Sequence, residues 1–384
     1  MEHLINQQVK NIEISGIRKF FNIVSNYDDI ISLTIGQPDF QTPLHIKEAA
    51  KKAIDENFTT YTHNAGFLEL RQAVSQFMKK KYQLEYNPQT EVIVTTGASQ
   101  AIDIALRTIL EQGLEVLLPA PIYPGYEPII RMCGATPVLA DTAPYGFKLT
   151  KDLIEKHITE KTRCIILPYP SNPTGVTLTS EELKEIADAV RGKDIFILAD
   201  EIYSELTYVG SHTSIASFLR EQTIVINGLS KSHSMTGWRI GFLMAPENIA
   251  KHILKVHQYN VSCASSISQK AAFNALTEGF DDGNQMKKEY EKRLDYVYNR
   301  LIDIGLEVVK PGGAFYLFPS IKPFGKSSFD FALELLKKAG VAVVPGSAFS
   351  RYGEGFIRIS YAYSMEELEK ALDRLEHFLR TEKG

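Results

Sequence analysis

Between residues 90 and 230 of this 384-residue chain, short apolar runs alternate with longer amphipathic segments. The apolar runs are typical of short buried strands, and the longer segments have apolar residues at helical spacing. The alternation passes through TPVLA, LTKDLIEKHI, RCIILPYP, SEELKEIADAV, DIFILAD and TIVIN. It predicts an α/β fold in which a mostly parallel sheet is covered by helices on both faces.

A lysine follows the last of these runs. TIVIN ends in the turn Gly-Leu-Ser, which presents Lys231 at the carboxyl edge of a strand, with Arg239 further along. Ligands of open α/β sheets bind at that edge, so an amine there can be partly desolvated and act as a nucleophile toward a carbonyl. An isolated loop lysine is more often solvated. The motifs around this one favour the nucleophile.

Polar residues stand at or just after the ends of two other predicted strands. Asp200 is the last residue of DIFILAD, where a buried carboxylate is costly unless a cation or hydrogen-bond donors meet it. Asn172 follows RCIILPYP in an Asn-Pro turn, which by itself is common turn chemistry. The sequence therefore predicts a cation or hydrogen-bond donors beside Asp200.

The segment EVIVTTGASQAIDIALRTIL predicts a strand, a Gly-Ala-Ser turn and a long helix. Unpaired N–H groups at the start of that helix, the helix dipole and the Ser99 hydroxyl would together form an anion site of phosphate size. The alternative is that Ser99 only caps the helix. No G-x-G-x-x-G or G-x-x-x-x-G-K-[ST] motif is present, which argues against dinucleotide and P-loop binding.

The motifs NPTG, ADEIYSEL, GLSK and MTGWRIG occur in one order along the chain. This order resembles that of the fold-type I, class I and II aminotransferases, which use pyridoxal 5′-phosphate (PLP), and the resemblance extends from about Ser32 to Tyr361. It implies a large domain with a mostly parallel sheet between helices and a smaller α+β domain. We expect an N-terminal arm at 1–30, the large domain at 31–279 and the small domain at 280–384.

The resemblance also implies roles at the cofactor. Lys231 would bind the cofactor aldehyde and then act as general base, and Asp200 would keep the pyridine nitrogen protonated. Tyr203 and Asn172 would hydrogen-bond the phenolate oxygen. Tyr123 would stack on the ring, with Tyr126 as the alternative. Residues expected near the phosphate are Ala98, Ser99, Ser230 and Arg239.

Other positions are expected to contact the substrate or a second chain. Arg358, in GFIRISYAYS, would bind the substrate α-carboxylate together with Gly36 and Asn172, although a strand arginine can also form a structural ion pair. Tyr61 would reach the phosphate of a neighbouring subunit, which implies a homodimer with shared active sites. The family often has serine or threonine where this chain has Gly228, which puts one phosphate contact in doubt.

Composition argues against several partners. A net charge of −4 and an isoelectric point near 6.2 give no basic surface for nucleic acid or anionic membrane. No apolar run approaches the ~18 residues of a membrane span, and the N-terminus lacks the apolar core of a signal peptide. Three scattered cysteines predict neither a disulfide framework nor a thiolate site, and the histidines lack metal-ligand spacing. We expect a cytoplasmic, metal-free protein.

The resemblance implies an aminotransferase that uses 2-oxoglutarate. Overall likeness to the Bacillus-type aminotransferase A group implies N-acetyl-L,L-diaminopimelate as amino donor in lysine biosynthesis, with aspartate or aromatic amino acids as alternatives. A PLP-dependent β-lyase of the same fold is a further alternative. A regulator built on this fold would carry a DNA-binding module, for which the segment before the first strand is too short. We expect the arm around Ile17, Arg18 and Phe20 to read the substrate side chain.

Overall fold

The computed structural model describes residues 1–27 and 29–382. Its strands are β1 (Ile31–Ser32), β2 (Val92–Thr95), β3 (Glu115–Ala120), β4 (Thr136–Asp141), β5 (Thr162–Leu167), β6 (Phe196–Asp200), β7 (Thr223–Gly228), β8 (Gly241–Met244), β9 (Tyr316–Leu317), β10 (Val341–Ala342), β11 (Val344–Pro345) and β12 (Ile357–Ser360). Its α-helices are α1 (Gln7–Lys10), α2 (Gly16–Val24), α3 (Leu44–Asp55), α4 (Leu68–Tyr82), α5 (Gly97–Ile109), α6 (Tyr126–Met132), α7 (Lys151–His157), α8 (Ser180–Val190), α9 (Ala216–Leu219), α10 (Glu247–Val261), α11 (Ser266–Thr277), α12 (Gly283–Asp303), α13 (Ser328–Ala339) and α14 (Met365–Glu382).

Seven strands form the large sheet, in the order β2-β8-β7-β6-β5-β3-β4. All neighbouring pairs are parallel except those that β8 makes with β2 and β7. The predicted α/β fold with a mostly parallel sheet is confirmed. Because β8 returns beside β7, the connection between them, residues 229–240, lies at the carboxyl edge of β7, and this connection contains Lys231.

The large sheet is apolar on both faces, as expected for a parallel sheet between helices. Successive residues of β6 belong to different cores. Ile197 and Ala199 lie in one hydrophobic cluster with residues of α3, α4, α8 and α11, whereas Leu198 lies in another with residues of α5 and α10. Side chains of a strand alternate between the two faces, so each β6 residue faces one helical layer.

A third hydrophobic cluster lies around the short strands of the C-terminal part. The antiparallel sheet β11-β12-β9 and the parallel pair β1-β10 pack with α12, α13 and α14, which confirms a smaller α+β part. Phe20 and Leu33, from the N-terminal part of the chain, also belong to this cluster. β1 therefore pairs within this part and outside the large sheet. The domain limits at residues 31 and 280 remain a prediction.

Two segments with apolar residues near helical spacing are not continuous helices. The N-terminal arm has this spacing from Ile12 to Val24, but α2 begins at Gly16 because Ser15 has extended ψ and occupies the N-cap position. The apolar-periodic stretch from Pro246 to Leu276 is divided into α10 and α11. Ser262, with a φ of 64°, ends α10 because the left-handed region cannot continue a right-handed helix.

Candidate active site

The large sheet ends in an open cavity of about 1360 Å³ at its carboxyl edge. Every residue that the sequence predicts for the cofactor or substrate lines this cavity except Tyr61 and Phe20. Tyr61 is 87% exposed, so its predicted contact with a neighbouring subunit remains a prediction. The cavity collects residues from strand ends, from the start of α5 and from β12. The lining residues predicted from sequence are Gly36, Ala98, Ser99, Tyr123, Asn172, Asp200, Tyr203, Ser230, Lys231, Arg239 and Arg358.

Lys231 follows β7 and lies partly buried in the cavity. Its Nζ donates a hydrogen bond of 2.7 Å to the carbonyl oxygen of Gly36 and lies 5.7 Å from the ring centroid of Tyr203. Burial, followed by the charges of Arg358 and Arg239, lowers its pKa to about 8. Near neutral pH, a much larger fraction of this amine than of an ordinary lysine is therefore unprotonated and nucleophilic.

Asp200 is buried at the end of β6. The hydroxyl of Tyr126 donates to its Oδ2 at 2.6 Å, and the backbone N–H of Ile202 donates to its Oδ1 at 3.2 Å. No lysine, arginine or histidine nitrogen among residues 1–27 and 29–382 forms an ion pair with this carboxylate. Burial is the main reason why its pKa is raised. A carboxylate with two donors and no cation favours a cationic ligand group in the cavity.

Arg358 is 2% exposed and projects from β12. Its Nη1 donates to Oδ1 of Asn172 at 2.9 Å and its Nη2 to the carbonyl oxygen of Thr34 at 2.6 Å. Its Nε is buried without a hydrogen-bond partner in the described structure, and no described carboxylate pairs with the guanidinium. The alternative of a structural ion pair is therefore wrong within the described chain. An uncompensated buried guanidinium that lines a cavity suits an anionic ligand.

Arg358 also fixes the orientation of Asn172. An arginine can only donate hydrogen bonds, so Asn172 directs its oxygen toward the guanidinium and keeps its amide N–H groups for another acceptor. Because its oxygen is bound to Arg358, the side-chain amide nitrogen of Asn172 is available as a donor in the same cavity as Lys231. The following Asn172-Pro173 bond is cis.

The first turn of α5 also lines the cavity. Thr96 occupies the N-cap position but makes no side-chain capping bond, so Ser99 lies inside the first turn and the alternative of a Ser99 cap is wrong. A Cβ on Gly97 would lie 2.6 Å from Nη2 of Arg239, so the missing side chain lets the guanidinium approach the helix start. Uncapped N–H groups beside an arginine form a strong anion site.

Gly228 ends β7 in a crowded place. A Cβ there would lie 3.1 Å from Cδ1 of Ile202 and 3.2 Å from Cα of Gly241. These contacts are tighter than a side chain normally makes, so the β7-β8 pairing leaves little room for a serine. The anion site is therefore built from α5, Ser230 and Arg239 without a hydroxyl at position 228.

Two tyrosines pair beside the lysine. The hydroxyl groups of Tyr203 and Tyr316 lie 2.7 Å apart, and either can be the donor. Burial raises the pKa of Tyr203 well above its usual range, so this phenol stays protonated at neutral pH. A Cβ on Gly36 would overlap the Tyr316 hydroxyl, which explains why glycine is needed at this approach.

Sequence reasoning missed part of this site. It named Tyr126 only as an alternative stacking residue, whereas the structure makes it the donor to Asp200. Tyr123 lines the cavity, 5.5 Å from Tyr126 in an edge-to-face arrangement. Tyr316 and Thr34 carried no recognisable signal. The expectation for Phe20 is wrong because it is buried in the C-terminal core, and Phe21 lines the cavity in its place.

Metal and membrane expectations can be checked within residues 1–27 and 29–382. No group of three or more potential metal ligands occurs there, and no helix is long and apolar enough to cross a bilayer. His233 is buried with both ring nitrogens hydrogen-bonded, to Oγ of Ser232 and to the carbonyl oxygen of Gly279. Both ring nitrogens of His233 are thus used within the fold, which indicates a structural role.

The site suits one kind of cofactor. An amine with a lowered pKa can hold an aldehyde, a buried carboxylate without a cation can hold a protonated ring nitrogen, and the α5 site can hold a phosphate. PLP combines these three groups, and the residues present fit it. The arrangement defines the class of PLP-dependent enzymes with this α/β fold.

Comparison with known proteins identifies the family. Residues 28–375 match the model of aminotransferase class I and II. The chain is 68% identical to a Bacillus subtilis protein named probable N-acetyl-LL-diaminopimelate aminotransferase, over 99% of this chain and 96% of that one. The chain therefore belongs to the class I and II aminotransferase family, and it is a PLP-dependent transaminase.

Solved structures agree with this membership. The aromatic aminotransferase of Pyrococcus horikoshii OT3 superimposes with a TM-score of 0.90 at 44% identity, covering 95% of this chain and 99% of that one. The aspartate aminotransferase of Thermus thermophilus with maleate gives a TM-score of 0.93 at 33% identity, covering 97% and 99%. The fold-type I architecture is thus confirmed.

Proposed function

We propose that this transaminase moves the amino group of N-acetyl-L,L-diaminopimelate to 2-oxoglutarate, a reaction of lysine biosynthesis. The observation that carries the donor assignment is the 68% identity, over nearly the full length of both chains, to the Bacillus subtilis protein named for that activity. Solved relatives named for aspartate and aromatic amino acids are 33% and 44% identical. These substrates are the alternatives that an experiment must separate.

When bound, PLP supplies an electron sink for the negative charge that develops at the substrate Cα. In our proposal the Nζ of Lys231 would hold the cofactor in the absence of substrate. With substrate bound, the same amine, with its pKa lowered by burial, would accept the proton from the substrate Cα. One residue thus serves as anchor and as general base.

Other residues would stabilise the charged groups around that proton transfer. Asp200, which accepts a hydrogen bond from Tyr126, would accept the N–H of the protonated pyridine ring. Tyr203 and the amide of Asn172, which both line the cavity, would donate to the phenolate oxygen, and the ring of Tyr123 would pack against the pyridine. The phosphate would be held by the first turn of α5, including Ala98 and Ser99, and by two further lining residues, Ser230 and Arg239.

Arg358 binds the substrate α-carboxylate in this proposal. Its bonds to Asn172 and Thr34 hold the guanidinium in one orientation, and its buried Nε has no partner in the described structure. Gly36 brings its backbone to the same place, beside Lys231. Because α-amino acids share this carboxylate, Arg358 orients Cα toward Lys231 but does not distinguish between side chains.

We further propose a cytoplasmic homodimer with shared active sites. Tyr61 is exposed and outside the cavity of its own chain, as expected for a residue that completes the site of a second chain. All three cysteines are free, which fits a reducing compartment.

A panel of amino donors tests the reaction and the substrate together. The PLP-loaded enzyme is mixed with each donor, formation of the pyridoxamine form of the cofactor is followed, and kcat/KM is compared. We expect N-acetyl-L,L-diaminopimelate to exceed aspartate and phenylalanine. A preference for either of those would overturn the substrate assignment, and release of ammonia with a 2-oxo acid would indicate a β-lyase.

A further inference from the structure

The N-terminal arm forms one wall of the active-site cavity. Residues 11–19, 21 and 22 line it, together with the catalytic edge of the large sheet. Within α2, Phe20 and Val24 are buried in the C-terminal core, whereas Arg18, Phe21 and Asn22 line the cavity. Residues three and four positions apart share one face of a helix, so these three form a continuous surface. The surface joins a cation, an aromatic ring and an amide.

Most charged groups of the cavity already have partners. Lys19 pairs with Glu13 at 2.8 Å, and Arg131 pairs with Glu127 at 3.6 Å. Arg18 differs from both of these cations, since it makes no hydrogen bond or ion pair to another described residue.

The remaining charges of the cavity have roles in the proposed function. Lys231 and Asp200 act at the cofactor ring, Arg239 at its phosphate and Arg358 at the substrate α-carboxylate. Among the described residues that line the cavity, Arg18 is therefore the cation that has neither an anionic partner nor a role in the proposed function. It lies on the arm, on an element different from those that hold the cofactor.

We propose that Arg18 binds the distal carboxylate of dicarboxylic substrates and so determines side-chain specificity. This inference rests on the proposed function, because glutamate, 2-oxoglutarate and N-acetyl-L,L-diaminopimelate all carry a second carboxylate. The planar guanidinium matches a carboxylate with two parallel hydrogen bonds. Phe21, one helical turn away and 47% exposed, provides an apolar surface for the methylene groups between the two carboxylates.

The cavity strengthens an interaction that would be weak on an open surface. An exposed ion pair contributes little because water screens it. A substrate chain seated against Phe21 and Ile17 displaces water from this wall, which lowers the local dielectric around the guanidinium. Lys19, the neighbouring cation, already has an anionic partner in Glu13, whereas Arg18 has none among the described residues.

The proposed role of Arg18 can be tested without turnover by measuring how unreactive acids bind. Glutarate and pentanoate have the same chain length and differ in the second carboxylate. Their dissociation constants are measured by calorimetry on the PLP-loaded wild type and on Arg18→Ala, Arg18→Lys and Lys10→Ala. Lys10 is the matched control, because it is an exposed cation of the same arm that does not line the cavity.

We expect Arg18→Ala to weaken glutarate binding roughly 10- to 100-fold, the range for a hydrogen bond to a charged group, with pentanoate unchanged. Arg18→Lys should keep part of the glutarate affinity, and Lys10→Ala should change neither acid. The kcat/KM values for glutamate and alanine should show the same selective loss.

Three results overturn the inference. These are an unchanged glutarate affinity in Arg18→Ala, an equal loss for both acids, and an equal loss in Lys10→Ala, which would indicate a general effect of charge. Failure of the proposed function looks different, because the wild-type enzyme would then not produce the pyridoxamine form of the cofactor with any donor, or would prefer aspartate or phenylalanine to N-acetyl-L,L-diaminopimelate.

Discussion

Burial sets the protonation of the individual residues at the carboxyl edge of the sheet. It lowers the pKa of Lys231 to about 8 and raises that of Asp200, so both groups are pushed toward their neutral forms. The two shifts have the same cause, since desolvation disfavours charge of either sign. A bound cofactor with a protonated ring nitrogen restores a counter-charge for Asp200.

The shifted pKa of Lys231 predicts a pH-dependent cost to stability. The folded chain releases this proton near pH 8 and the unfolded chain near 10.5, so the penalty is complete below pH 8 and disappears as the pH rises to 10.5. We expect Lys231→Met to raise the melting temperature of the cofactor-free protein at pH 7 and less so at pH 10. Thermal unfolding at both pH values checks this, with Lys10→Met as the exposed control. A gain independent of pH would contradict it.

The hydrogen bond from Tyr126 to Asp200 predicts a loss of cofactor affinity in Tyr126→Phe. Without this donor the pKa of Asp200 rises further, and a protonated carboxyl group attracts the cofactor ring nitrogen less. A hydrogen bond to a charged group contributes about 1.5–3 kcal/mol, so PLP should bind roughly 10- to 100-fold more weakly.

Fluorescence titration of the cofactor-free protein with PLP measures this effect. Tyr123→Phe is the matched control, because the Tyr123 hydroxyl forms no hydrogen bond to a described residue. Equal losses in the two variants would show that the Tyr126 hydroxyl has no special role.

At the scale of elements, the phosphate site depends on how closely β8 approaches the first turn of α5. A Cβ on Gly241 would lie 2.6 Å from the backbone N of Ala98 and 2.6 Å from the carbonyl carbon of Gly97. Backbone atoms cannot move aside as a flexible side chain can. The absence of a side chain at Gly241 therefore positions the N–H groups of α5.

Gly241→Ala should displace the start of α5. We expect a destabilisation of about 1–3 kcal/mol, the usual cost of overpacking, and weaker binding of PLP. Chemical unfolding and PLP titration measure the two effects. Gly237→Ala, in the connection just before β8 and with open space around its Cβ position, should change neither. If both variants behave alike, close packing is not the reason for glycine at 241.

At the scale of the whole molecule, the catalytic groups come from segments far apart in the chain. Arg358 meets Asn172 and Thr34, and Lys231 meets Gly36. The C-terminal sheet and the large sheet therefore share one cavity. In the proposed dimer, Tyr61 adds a residue from a second chain.

Shared sites predict complementation between two inactive or weakened variants. Lys231→Ala lacks the amine, and Tyr61→Ala lacks the proposed phosphate contact for its partner. In a mixed dimer, one site combines Lys231 from one chain with Tyr61 from the other, so activity should rise above that of either variant alone. Mixing after subunit exchange, followed by an activity assay, measures this. Sedimentation should give twice the 43.1 kDa chain mass. No gain in a verified mixed dimer would contradict sharing.

Local sequence patterns determined much of the fold and of the site of this protein. Apolar periodicity predicted the βα alternation. Asp200 and Lys231 could be predicted as site residues because they stand at or just after the end of an apolar run, and such an end is visible in the sequence. The resemblance of motifs added the cofactor and Arg358. These predictions depend on neighbours in sequence or on motif order, which the linear chain already contains.

Tertiary structure alone decided the remaining features. Tyr316 at Tyr203, Tyr126 at Asp200 and the pairing of β1 with β10 follow from how distant segments pack. The same holds for α2, where packing buries Phe20 and turns Phe21 to the cavity. Hydrophobic pattern indicates that a helix has an apolar face, but only the surfaces around it determine which residues are covered by the core and which are left facing a ligand.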